Sequence, residues 1–176
     1  MKKLIALGLA VAVGAGAVAY VLSDPGWVQR IRYPLRYEAI VRAHAKNYDI
    51  DPALLAAVIY RESKFNPKAV SSSGAIGLMQ LLPETAKGIA QYTGGAKFQV
   101  EDLYDPEINV RYGAFYLRRL LRKYGEVSTA LAAYNAGQAN VDAWIAQKRG
   151  IAFAETRDYV HDVLRLRRIY RDAYDL

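Results

Sequence analysis

The stretch Ala56–Gln80, AAVIYRESKFNPKAVSSSGAIGLMQ, together with the Asp51-Pro52 that leads into it, decides how the chain is read. An aspartate side chain satisfies free backbone N–H groups at a helix start, and proline has none to satisfy, so Asp51 and Pro52 predict the N-cap and first position of a helix running to about Ser63. On a 3.6-residue period Leu55, Val58 and Glu62 share one face, with Leu54 and Ile59 beside them. The apolar stripe therefore runs straight into an acid. Desolvation by that stripe and the negative end of the helix dipole both raise the pKa of a carboxyl at this position. A carboxylic acid still protonated near neutral pH is what a general acid requires, and glycoside cleavage is the reaction class that most often uses one. A plainer account is that Glu62 snorkels into water where Asn66 and Pro67 break the helix. The residues after the break weigh against it. Ser71, Ser72, Ser73 and Gly74 form a small polar loop, and Gly77-Leu78-Met79-Gln80 comes next, with a glycine where close backbone approach costs little. A rim of this kind beside an acid suits a sugar.

On either side of this stretch the pattern is helical. Tyr37–Tyr48 reads as the first helix of the domain, and Pro83 opens another that ends near Gly94 and Gly95. Lys97–Tyr104 reads as irregular. Asp105 and Pro106 repeat the cap signal and start the longest helix, with Val110, Gly113, Leu117, Leu120 and Tyr124 on one stripe and Gly125 as its stop. Gly113 inside it is expected to permit a close helix crossing. Val127–Tyr134 reads as a short buried helix, Asn135–Gly137 as a turn, and Val141–Ile145 as part of the next helix. A final helix starts near Glu155 and carries Tyr159, Val163, Leu166 and Tyr170 at three- and four-residue steps. No strand pattern or internal repeat is visible, so the expected class is all-α.

A length of 176 residues holds one domain of ordinary size and a short N-terminal appendage. Lys2 and Lys3 precede an uncharged stretch, Leu4–Leu22, which reads as a secretory signal or a membrane anchor. Ala15, Ala17 and Ala19 offer small-residue cleavage positions, while the length of the stretch favours a retained anchor slightly. The expected division is residues 1–23 as signal or anchor, 24–35 as linker and 36–176 as the folded domain. Either outcome places that domain outside the cytoplasm.

With no Cys, a disulfide framework, a thiolate metal site and a cysteine nucleophile are excluded. His44 and His161 have no ligand or triad spacing around them, so neither a metal nor another cofactor is expected. The net charge of +7 favours anionic surroundings such as wall polymers, anionic lipid or nucleic acid. Arg118, Arg119, Arg122 and Lys123, and Arg165, Arg167, Arg168 and Arg171, read as solvated helix faces in preference to a nucleic-acid patch.

Four motifs in order, Glu62-Ser63, Gly77-Leu78-Met79-Gln80, Ala133-Tyr134-Asn135-Ala136-Gly137, and Glu155-Thr156-Arg157 leading to Tyr159-Val160, make the chain resemble the soluble lytic transglycosylase family. The catalytic domain of that family is similar to goose-type lysozyme, and the resemblance covers roughly Tyr37 to Tyr170. It implies an enzyme of the cell envelope that cleaves the bond between N-acetylmuramic acid and N-acetylglucosamine in peptidoglycan without water, leaving an anhydro-muramic end. Glu62 would act as acid and then as base. By the same resemblance Ser63 and Gln80 would position the sugar, Met79 would line the groove, and Tyr134 and Asn135 would sit across the cleft. Tyr159 would orient the acid through its hydroxyl, and Glu155 would bind a substrate group. The partners so implied are glycan strands and, through the N-terminal segment, the inner membrane, with no nucleic acid; oligomeric state stays open. Leu82 stands where relatives commonly have methionine, a volume-conserving change. A second carboxylate would turn the same fold towards lysozyme-type hydrolysis, with Asp49, Asp51, Glu84 and Glu155 as candidates. A non-catalytic wall-binding module is the third reading.

Overall fold

The computed structural model describes residues 26–95 and 97–176, together with Gly14, Gly16, Tyr20 and Val21. The expected signal or anchor lies almost wholly outside the described residues. Among those described, no helix is long and apolar enough to cross a membrane.

Within the described residues eight α-helices follow one another: α1 Gly26–Arg32, α2 Glu38–Asn47, α3 Pro52–Ser63, α4 Pro83–Ala90, α5 Pro106–Tyr124, α6 Val127–Ala136, α7 Gln138–Ala146 and α8 Ala154–Tyr174. Among the same residues there is no strand, only two isolated bridges, Val70 with Ile76 and Ile76 with Leu81. The domain is all-α. Its helix starts follow the local chemistry: Asp51 Oδ1 accepts from Ala53 N at 2.9 Å, and Asp105 Oδ1 accepts from Glu107 N and Ile108 N at 2.9 and 3.0 Å. Gly125 ends α5 at φ 72°, where a side chain would be strained.

α3 is the axis of the molecule. Every residue from Ala53 to Ile59 is buried, so this helix has no solvent face before its last turn, and it packs against α2 and, most extensively, α8. The stripe expected from the sequence is thus a whole buried surface, in one core with Val163, Leu166 and Tyr170 of α8, Leu131 of α6 and Val110 of α5. A second, smaller core holds Ile76, Leu81, Ala86, Ile89, Leu103 and Tyr112. The loop after α3 joins the two cores, since Leu78 and Met79 belong to the large one and Ile76 and Leu81 to the small one.

Three segments differ from the sequence reading. Within the expected linker, α1 forms a helix docked on the end of α8, with Arg30 Nε donating to Ala173 O at 2.6 Å and Tyr174 Oη accepting from Leu35 N at 3.0 Å. Val100–Tyr104 is a 3-10 helix closed by a capping box between Gln99 and Asp102. At Gly113 the closest neighbour is the loop: the three atoms nearest to a Cβ there would be Sδ, Cβ and Cε of Met79, so the glycine admits the Met79 side chain.

Candidate active site

Glu62 is the penultimate residue of α3, half-buried at the floor of a cleft of about 310 Å³. The cleft is lined by Ser71, Ser73, Ala75, Gln80 and Leu82 from the loop, Tyr134 and Asn135 from the end of α6, and Glu155 from the start of α8. The helix ends abruptly behind the acid, because Lys64 and Phe65 both adopt left-handed backbone, at φ 51° and 61°. Two such non-glycine residues in succession cost energy, which the full burial of the Phe65 ring against Tyr60 and Tyr170 offsets. The chain can then turn back beneath Glu62.

Burial pushes the Glu62 carboxyl up from 4.5 to about 7. Two effects oppose it. Tyr159 Oη donates to Glu62 Oε1 at 2.7 Å, and the Arg61 charge is close. Desolvation wins, so near neutrality Glu62 is divided between acid and base forms. Tyr159 and Tyr134 are held as neutral phenols, well above the usual tyrosine range, first by burial and then by the Glu62 charge. Each can therefore donate but not ionise.

The structure brings Glu62 and five of the other expected residues to the cleft or the acid and sets two apart. Gln80, Tyr134, Asn135 and Glu155 line the cleft with Glu62, and Tyr159 lies beneath it. Met79 does not line the groove: its side chain is fully buried against Gly113, and only its backbone serves the site, Met79 O accepting from Tyr134 Oη at 2.8 Å. Ser63 is absent from the lining. Its hydroxyl faces the carbonyls of Leu78 at 2.8 Å and Ile59 at 3.2 Å, so it ties the loop to the helix. Gln80, itself at φ 48°, donates its amide to Gly77 O and Ala69 O. Asn135 belongs to the last turn of α6, not to a turn after it, and its Oδ1 accepts from Thr156 Oγ1 at 2.8 Å.

Asn109 was not among the expected residues, yet it holds the loop in place. Wholly buried on α5, its Oδ1 accepts from Met79 N at 2.8 Å while its Nδ2 donates to Ile76 O and Leu103 O at 2.9 and 2.8 Å. Both amide hydrogens and the amide oxygen are thereby satisfied without water. Gly77 is the complement of Asn109: at φ 82° it sits so close that a Cβ would fall 2.2 Å from Asn109 Nδ2.

Of the four further carboxylates, only Glu155 shares the cleft. Asp51 is bound at the opposite end of α3 by Arg167 and Arg171, Asp49 by Arg118 and Glu84 by Lys87. Among the described residues, no group of three His, Asp or Glu side chains is placed to hold a metal ion.

A carboxyl raised towards neutrality by burial, in a cleft of an all-helical domain that also holds Glu155, has the chemistry of an acid/base site. Residues 39–156 match the Transglycosylase SLT domain model, and the chain belongs to this family. It is 34% identical over 157 residues to the soluble lytic murein transglycosylase of Salmonella typhimurium, a match covering 80% of this chain and 24% of that protein. It is 35% identical over 144 residues to the membrane-bound lytic murein transglycosylase F of Yersinia pestis, covering 70% and 27%. Among solved structures, an inactive glutamate-to-glutamine mutant of the lytic transglycosylase Slt from Pseudomonas aeruginosa aligns with TM-score 0.77 at 35% identity, over 83% of this chain and 25% of that one. The 70 kDa soluble lytic transglycosylase in complex with bulgecin A aligns with TM-score 0.76 at 32% identity, over 82% and 25%. The chain thus spans about a quarter of the length of these relatives.

Proposed function

We propose that this chain is a peptidoglycan lytic transglycosylase in which Glu62 alone carries both proton transfers. The observation that carries this reading is the carboxyl raised to about 7 and hydrogen-bonded by Tyr159 in the cleft. In its protonated form Glu62 gives its proton to the glycosidic oxygen between N-acetylmuramic acid and N-acetylglucosamine, and the bond from that oxygen to the muramic anomeric carbon breaks. The substrate's own acetamido group supports the cationic centre. The resulting carboxylate then takes the proton of the muramic hydroxymethyl group as its oxygen closes on the anomeric carbon. The acid is restored, no water is consumed, and an anhydro-muramic end is left. A pKa near neutrality suits both halves, since one group must give and then recover a proton.

Glu155 in the same cleft favours a second reading, hydrolysis of lysozyme type, in which a second carboxylate would handle water. Mass spectrometry of the muropeptides released from purified sacculi by the full chain and by Glu62→Gln separates the two. Anhydro ends that vanish in the variant are expected. Reducing ends from the unmodified protein would transfer the assignment to a hydrolase. The names of the relatives, with the Leu4–Leu22 stretch, support residence in the cell envelope, held by that stretch at the membrane or released from it. Fractionation of cells producing the full chain decides between these states.

A further inference from the structure

A charged groove that shares no residue with the cleft borders the end of α3. Arg61 lines a surface groove there with Tyr60, Lys64, Asp162 and Arg165. Its guanidinium carbon stands 5.4 Å from the centroid of the Tyr159 ring, and its Nε donates to Asp162 Oδ2 at 3.1 Å. Asp162 lies three residues beyond Tyr159 on α8, so one helical turn presents both the ring and the carboxylate that fixes the cation over it. The Tyr159 hydroxyl ends this chain of contacts on Glu62 at 2.7 Å. We propose that Arg61, clamped by Asp162 against the ring of Tyr159, is a positioning residue that acts on Glu62 through the phenol from a groove separate from the cleft.

The physical basis is twofold. A cation over the ring face draws density from the phenol oxygen and makes its O–H a stronger donor to the carboxylate, and the positive charge itself favours the ionised form. Both effects oppose burial, which alone would keep Glu62 protonated to higher pH. That would serve the acid step and starve the base step. A counter-charge inside the cleft would be covered or displaced by glycan, whereas one outside the cleft lining works whether or not the cleft is filled. The other titratable groups around Glu62 are Tyr134 from α6, Tyr159 and Glu155 from α8, and Lys64 just beyond the end of α3. The loop lines the cleft with Ser71, Ser73 and Gln80, none of them charged. Arg61 is the cation fixed by an ion pair against the residue that touches the acid.

The inference rests on Glu62 being the acid/base, and it is tested without activity. The Glu62 carboxyl is followed by carbon-detected NMR titration of the full chain, assigned with Glu62→Gln, in Arg61→Gln, Arg61→Lys and Asp162→Asn. Arg61→Gln is expected to move the titration upward by about half a pH unit, because the charge is half-exposed and partly screened. Arg61→Lys, which keeps the charge, restores most of the shift, and Asp162→Asn, which frees the guanidinium, falls between. Thermal unfolding of each variant reports that the fold is kept. A Glu62 titration that stays in place in folded Arg61→Gln overturns the proposal, as does a shift that Arg61→Lys fails to reverse. Failure of the unmodified chain to cleave sacculi would instead sink the functional reading and leave the titration result standing.

Discussion

Replacing Glu62 by Gln is expected to stabilise the protein at neutral and alkaline pH while removing its activity. The folded protein binds the Glu62 proton more tightly than the unfolded chain does, with the carboxyl moved from 4.5 to about 7. The native state therefore carries no cost from this group below pH 4.5. The cost grows between 4.5 and 7 and is complete above 7. At about 1.4 kcal/mol per pH unit the full cost is about 3 kcal/mol. Glutamine is neutral throughout, nearly isosteric, and its Oε1 can still accept the Tyr159 hydroxyl, so the variant escapes the whole of it. Urea denaturation of both proteins at pH 4 and pH 8 measures the difference. With a slope of roughly 2 kcal/mol per molar, the Gln variant's midpoint should lie about 1.5 M higher at pH 8 and coincide with the parent's at pH 4. Equal midpoints at pH 8 would show that the Glu62 charge is solvated in the folded state, and the case for burial would fall. A gap persisting at pH 4 would refute it equally, by showing that the gain is not protonation.

Tyr159→Phe removes the donor that holds the Glu62 proton affinity down, so the alkaline limb of the pH–activity profile should move upward while the maximal rate falls; a limb that stays in place refutes the assignment. Asn109→Leu leaves Met79 N and Leu103 O without their side-chain partner and removes one of the two bonds to Ile76 O, which still accepts from Leu81 N, and a loss of roughly 3–5 kcal/mol is expected by denaturation, with activity lost even at temperatures where the variant is folded. Gly77→Ala both strains a φ of 82° and drives a Cβ into Asn109 and Leu103 O, so it should cost at least as much as an overpacking lesion of about 2 kcal/mol, whereas Gly88→Ala on α4, with open space around it, should be neutral or slightly stabilising. Asp51→Ala loses an N-cap worth about 1 kcal/mol at pH 7. Burial raises the Asp51 carboxyl, but the hydrogen bonds from Arg167 and Arg171 outweigh this and hold it below the usual range, so its contribution is present at neutrality and fades as pH falls through the acid range. A loss in the variant that is the same at pH 3 and pH 7 would contradict that.

What the sequence made legible was whatever is written within one helical turn. Asp51-Pro52, Asp105-Pro106 and Gly125 act on backbone groups two to four residues away, and the helices they bound were expected where they lie. Glu62 was legible for the same reason, an acid in line with an apolar stripe. The residues that were missed, misread or expected only from the family resemblance act across the chain. Asn109 sits between Ile108 and Val110 as any polar helix residue would, and its bond to Met79 spans 30 positions. Met79 looks like a groove residue until the space above Gly113 is known, and Gly113 looks like a helix crossing until Met79 is seen to fill it. The Tyr159 bond to Glu62 spans 97 positions, and nothing local to Tyr159 separates it from a core tyrosine, which by burial it also is. The 3-10 helix at Val100–Tyr104 and helix α1 are short segments whose form depends on docking more than on propensity, so their composition reads as connector.

These long-range ties change how the motif residues divide their work. Along Gly77–Gln80 the backbone is held by side chains from three helices: Ser63 from α3 binds Leu78 O, Asn109 from α5 binds Met79 N, and Tyr134 from α6 binds Met79 O. Two of the three are neighbours of the chemistry, Ser63 following Glu62 in sequence and Tyr134 lining the same cleft. The loop and the acid are therefore one rigid unit. A shift of the loop must be felt at Glu62 through Ser63, and across the cleft through Tyr134. Ser63 looks like a substrate contact by type and is here spent on the scaffold, and the polar side chains that line the cleft, where the proposed function seats glycan, are Ser71, Ser73, Gln80, Asn135 and Glu155. Such an arrangement explains how an acid with so costly an environment keeps its geometry. The strain at Lys64 and Phe65 and the desolvation of Glu62 are offset by bonds and packing that form only when loop, helix end and cleft wall assemble together.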